Sequence, residues 1–230
     1  MKHHLMLAIL TMCFAGYAMA GDVTGKVSFE GAAPKTARLN MNADPVCMKG
    51  HKEPVFGEDV VVNKNGTLRN VLIYVKEGLG GKKFDPPATK VEFDQIGCRY
   101  TPHVLGIQAG QELVVKNSDP TLHNVHSLSK ENPPFNVAQP KKGMTLTKKF
   151  EKPETFKVKC EVHPWMGAWI TVFSHPFYAV TGEDGSFDLK KLPAGDYTVE
   201  AWHEKYGTQT MKVKVAATGA ATADFKYTAK

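Results

Sequence analysis

Apolar and polar residues alternate one for one in short runs that recur along the chain: Val23 to Phe29, Val71 to Val75, Leu113 to Val115, Phe156 to Cys160, Trp169 to Phe173, Tyr197 to Ala201 and Met211 to Val215. A period of two puts every second side chain on one face of an extended strand, so each run predicts a half-buried β-strand. Between the runs stand Asn65-Gly66, Asn117-Ser118-Asp119-Pro120, Glu183-Asp184-Gly185 and Pro193-Ala194-Gly195, residues that favour turns. No long segment keeps the 3.6-residue apolar repeat of an amphipathic helix. The chain therefore reads as all-β, built from sandwiches or Greek-key barrels.

The first twenty residues stand apart. Lys2 precedes an apolar run from Leu5 to Ala20 that closes on Ala18-Met19-Ala20, the pattern of a secretory signal cleaved after Ala20. As a membrane anchor the run is marginal, since a spanning helix needs about 20 apolar residues, and no comparable run follows. The expectation is a periplasmic or secreted protein with no membrane span. A lipoprotein reading at Cys13 is the weaker one, because Met12 stands where a small residue is wanted.

Cleavage takes 20 of the 230 residues and leaves 210, enough for two modest domains, and the loss of Lys2 lowers the net charge from +6 to +5. That charge is spread along the chain; it serves solubility and would also suit an acidic protein partner. No run of Lys and Arg interleaved with aromatics points to nucleic acid. Cys47, Cys98 and Cys160 remain after cleavage. In an oxidising compartment an odd count implies one pair and one thiol with another task.

Cys160-Glu161-Val162-His163-Pro164-Trp165-Met166 sets a thiol, an imidazole and a thioether within seven residues. Soft sulfur favours Cu(I) and imidazole accommodates Cu(II), so the mixture suits copper; zinc is better served by four strong ligands. In the run before it, Phe156, Val158 and Cys160 share one face and Lys157 and Lys159 the other, which points Cys160 into the interior. A buried, unligated thiol is the plain alternative, but it leaves His163 and Met166 without a role. A second imidazole is available in Leu122-His123-Asn124-Val125-His126 after a turn. His123 and His126, three apart on a strand, face opposite sides, so both cannot hold one ion.

His123-Asn124-Val125-His126 together with Cys160 to Met166 resembles the copper site of the cupredoxins, the type 1 blue-copper family, with a loop spacing similar to that of amicyanin. The resemblance covers roughly Val91 to Phe173, including the approach Gly110 to Asn117. It implies that His123, the histidine before the asparagine, is a ligand beside Cys160, His163 and the weak axial Met166. It also implies that Asn124 ties the His123 loop to the Cys160 loop by hydrogen bonds behind the ligands. It implies one copper ion and one-electron transfer, with a redox partner, a role that an acidic protein would suit, docking near His163, whose imidazole edge is expected at the surface. Cys47 and Cys98 are then the pair left for a disulfide, with a soft-metal site of Cys47, Met48 and His51 as the alternative.

The flanks, Gly25 to Pro34 and Gly182 to Tyr197, resemble the start and end of the carboxypeptidase-regulatory, transthyretin-like β-sandwich. This implies a copper domain over 88–173 inserted into a discontinuous sandwich of 21–87 plus 174–230, since insertion at a surface loop costs little. A contiguous C-terminal domain, with the N-terminal strands joining the copper domain, is the rival arrangement. His103, His126, His175 and His203 are expected to be structural, Trp169 and Phe173 core, with Trp165 open. Lys141, Lys142, Lys148 and Lys149 read as a solvated hairpin. No nucleophile triad, phosphate loop or catalytic carboxylate pair emerges, so an electron carrier is expected, with a copper carrier or store as the alternative to it.

Overall fold

A computed structural model describes residues 20–229, so the expected signal segment lies outside the described residues except for Ala20, which opens the first strand. The protein is all-β, and among the described residues the one α-helix is Pro45–Lys49. No helix among them is long and apolar enough to cross a membrane.

Two pairs of sheets each enclose a core. In the first pair, Ala20–Glu30 lies between Ser186–Pro193 and the short Ala220–Thr222 and Phe225–Thr228 strands. The other sheet runs Tyr178–Val180, Leu72–Glu77, Gly195–His203, Gly207–Val215. Alternation explains the packing: Val23, Val27 and Phe29 point inward and meet Ile73, Leu189, Val199 and Val213. Gly25 continues the inward face where the chain comes closest to a neighbour. A Cβ there would sit 2.0 Å from the carbonyl oxygen of Ala223.

The second pair holds the candidate site. One sheet orders Val104–Gln108, Gly167–Phe173, Glu154–Lys159, His123–Ser127 and Asn136–Gln139; the other orders Tyr100–Thr101, Val91–Gln95, Leu113–Asn117 and Thr145–Lys148. Phe93, Val115, Val125, Phe156, Val158 and Ile170 meet between them. Phe156 and Val158 are buried and Lys157 is exposed, so the two-residue period carries Cys160, one residue past the strand end, into the same core.

The expected span 21–87 does not all pack in the first pair. Met41 and Cys47 are buried in the second core, with Leu39 and Val55 packed against it, because a Cys47–Cys98 disulfide ties this stretch to the turn after Val91–Gln95. Cys47, Met48 and His51 form no soft-metal cluster: Cys47 is oxidised, Met48 is exposed and His51 Nε2 bonds the Gly97 carbonyl.

The two pairs of sheets meet at Leu72, Val104 and Phe173. Trp169 is not core: it is half-buried at this seam, 5.3 Å from the Trp202 ring, with its indole N–H donating to Glu204 at 3.0 Å. Polarity at the indole nitrogen draws that edge toward the carboxylate rather than into the apolar interior. Phe173 is buried between Tyr74 and Tyr178.

Candidate metal centre

The Glu154–Lys159 strand pairs antiparallel with the last residues of the His123–Ser127 strand, Val158 with Ser127 and Lys159 with His126, so the chain beyond Lys159 runs back toward His123. That pairing brings Cys160 next to His123, and a tight turn returns His163 to the same place. Cys160 N donates to the Met166 carbonyl at 3.2 Å and Met166 N to the His163 carbonyl at 2.9 Å, which closes the loop on itself. Ligand atoms of His123, Cys160 and His163 lie within 4.8 Å of one another, and the three residues are 0%, 3% and 2% exposed. Met166 is buried in the surrounding core.

The orientation of the two rings is the informative feature. Their Nδ1 atoms face each other at 2.9 Å, and Cys160 Sγ lies 3.8 Å from His163 Nδ1. Behind them, each Nε2 meets a carboxylate: His123 on Asp119 Oδ2 at 3.0 Å, His163 on Asp44 Oδ2 at 3.0 Å. A carboxylate accepts only, so each Nε2 carries a proton and each Nδ1 turns its remaining position inward. Two imidazole nitrogens and a sulfur thus converge on one buried point, where lone pairs repel unless a positive charge sits between them.

The surrounding groups favour positive charge at that point. Burial pushes the His123 pKa down, but its bonds to Asp119 and Cys160 and the charges of both outweigh it and raise the pKa to about 9. Burial pushes the Cys160 thiol up, yet the His123 bond and the amides of Asn124, His163 and Val162 bring it below its usual value. His163 is lowered by burial, against Asp44 and with the help of the His123 charge. The His123 and Cys160 shifts both run in the direction that favours positive charge beside the sulfur, and metal binding requires the thiol deprotonated and both inward nitrogens unprotonated.

The carboxylates are themselves fixed. Asp119 accepts from the Gly97 and Cys98 amides at 2.8 and 2.7 Å. Asp44 caps the Pro45–Lys49 helix through Oδ1, accepting from Val46 N at 2.7 Å, and takes the Thr121 hydroxyl at 2.7 Å on Oδ2. Burial raises its pKa, but these bonds together hold it at about 2. Asn124 Oδ1 accepts from the Glu161 amide at 2.5 Å, joining the His123 strand to the Cys160 loop.

The expected surface edge of His163 is not at the surface. Asp44 bonds its Nε2, Cys47 Sγ lies 3.7 Å from the same atom, and the Trp165 ring lies 4.9 Å away with its indole N–H donating to the Cys98 carbonyl. The disulfide-bound stretch covers that edge of the ring. Asp44 and Asp119 were missed as site residues because each reads as a turn former. The available signal was that both precede proline, one three residues before Cys47 and the other four before His123.

The remaining histidines are satisfied elsewhere. His103 bonds Glu204 and the Gly167 carbonyl, and His126 bonds Glu161. His175 and His203 accept at Nδ1 from the Phe177 and Lys205 amides. Burial lowers both, His203 to about 4, so these two stay neutral.

Two comparisons with known proteins return similarities. A family model described as a carboxypeptidase regulatory-like domain matches residues 163–228. No curated protein matches the chain. Among solved structures, a copper-containing nitrite reductase from Thermus scotoductus is similar at 25% identity and TM-score 0.35, over 43% of this chain and 25% of that one. A purple cupredoxin from Nitrosopumilus maritimus is similar at 23% identity and TM-score 0.32, over 36% and 99%. A Cu(I) form of an amicyanin mutant is similar at 18% identity and TM-score 0.34, over 44% and 98%. The chain thus spans only a quarter of the nitrite reductase it resembles.

Proposed function

We propose that this chain is an exported copper protein in which His123 Nδ1, Cys160 Sγ and His163 Nδ1 would hold one copper ion, with the buried Met166 thioether as a weaker fourth donor, and which carries single electrons. The observation that supports it best is the inward convergence of two carboxylate-backed imidazoles on a buried thiol. A soft sulfur with two imidazoles fits copper in either oxidation state. Copper bound there would supply reversible one-electron chemistry. The chain's own part is to fix both ring tautomers through Asp119 and Asp44, to lower the thiol's proton affinity and to keep water out. Export following cleavage after Ala20, to the periplasm or beyond, belongs to the same proposal.

A redox partner would dock on the apolar surface that adjoins the site. Leu122 and Val162 are exposed immediately before His123 and His163, and Ile96 is exposed two residues before Cys98. The exposed Lys141, Lys142 and Lys149 would favour an acidic partner. A second reading, a copper carrier or store, draws support from the enclosure of His163, which removes the direct imidazole path to the surface.

Addition of Cu(II) to purified protein separates these readings. An electron carrier gives intense thiolate-to-copper absorption and reversible voltammetry, and Cys160→Ser abolishes the colour while the fold persists. Colour retained in Cys160→Ser would place the site elsewhere. A colourless product that binds Cu(I) would support the carrier.

A further inference from the structure

Asp44 arrives at the site from a part of the chain far from either metal-binding segment, 119 residues from His163. Its two oxygens divide their tasks: Oδ1 caps the helix and Oδ2 holds His163. A five-residue helix has little stability of its own. Its place is set by Cys47, which is buried, disulfide-bonded to Cys98 and 3.7 Å from His163 Nε2. Cys98 in turn lies in the turn whose amides hold Asp119, the partner of His123. One covalent link therefore joins the supports of both carboxylates, and through them the orientation of both rings.

We infer that Asp44 is a positioning residue for His163, delivered by the disulfide-anchored Pro45–Lys49 helix, which keeps Nε2 protonated and outward and Nδ1 free toward the metal. The assignment rests on the copper reading of His123, Cys160 and His163. Its physical basis is general: a second-shell acceptor on the far nitrogen of a ligating imidazole fixes tautomer and ring angle, and its loss typically weakens metal binding about 10- to 100-fold. Without Asp44 the His163 ring is free to take the other tautomer, with Nδ1–H pointing at the sulfur.

Three variants separate positioning from helix capping. Asp44→Asn keeps the cap on its one oxygen and turns an amide NH2, which can only donate, toward His163 Nε2. Asp44→Ser keeps a good cap but its shorter side chain does not reach His163. Asp44→Ala loses both. Two quantities are read on the full chain: Cu(I) affinity by chelator competition, and the His163 tautomer in copper-free protein by ¹⁵N NMR of the ring nitrogens.

The expected result is that the Asn and Ser variants, both still capped, are each weakened about tenfold or more, with mixed His163 tautomers. A Ser variant that matches wild type in both affinity and tautomer overturns the role given to Asp44, while leaving the copper reading intact. Wild type that takes up no copper overturns the copper reading, and the role that depends on it. If Asp44→Ala fails to fold, the Asn and Ser pair still decides the matter.

Discussion

Replacing Cys47 and Cys98 together by alanine removes a link that closes a segment with a sequence separation of 51. On the chain-entropy account, freeing a loop of that size in the unfolded state costs about 4 kcal/mol of stability. Alanine is the informative substitute. Both sulfurs are buried, so serine would add the penalty of an unsatisfied hydroxyl, and a single replacement would leave a free thiol beside the site. With an unfolding entropy near 2.1 cal/mol/K per residue over residues 20–229, the same loss lowers the midpoint by about 9 °C if the chain melts as one unit. The measurement is urea unfolding and calorimetry of copper-free protein, which avoids stabilisation by a bound ion. The unlinked denatured chain is also more open, so the urea slope should rise rather than fall. A loss below about 1 kcal/mol at unchanged slope would refute the reasoning, because the loop entropy in question would then already be restricted by residual structure.

Gly25→Ala forces a Cβ to 2.0 Å from the Ala223 carbonyl oxygen, a backbone atom that cannot swing aside, and should cost about 1–3 kcal/mol; Gly182→Ala, which meets nothing within 4 Å, is the control expected near zero in the same melting experiment. Glu154 receives the amides of Lys130, Glu131 and Asn132 and the Ser129 hydroxyl. Burial pushes its carboxyl up, but these bonds outweigh it and hold the pKa at about 2 against an ordinary 4.5. A depressed carboxylate stabilises the fold above its unfolded pKa and loses that contribution as pH falls through the folded one. Glu154→Gln should therefore be less stable than wild type at pH 7, with the gap narrowing below pH 4.5 and closing near pH 2 in denaturant titrations; a gap constant across that range refutes the assignment.

Much of the architecture was legible because strand formation is local. Alternation in Val23 to Phe29 and Phe156 to Cys160 predicts which side chains turn inward, and the structure buries Val23, Val27, Phe156, Val158 and Cys160 accordingly. The loop from Cys160 to Met166 was legible for the same reason, since its donors are neighbours in sequence. The half-burial of Trp169 was not, because it depends on Glu204 arriving from the other pair of sheets. The enclosure of His163 was not either, because its cover, Asp44 and Cys47, comes from more than a hundred positions away.

The one-dimensional pattern thus determined the β class, the inward face of each strand and the chemical identity of the donors near Cys160, all of which depend on spacings of a few residues. Tertiary structure alone decided which carboxylates stand behind the two imidazoles and how His163 is closed off. The contacts that close off His163 join residues more than a hundred positions apart, Asp44 and Cys47 with His163, and no periodicity encodes them. They exist because a disulfide and two packed sheets bring distant segments to one end of a core, where each buried ring nitrogen needs a partner.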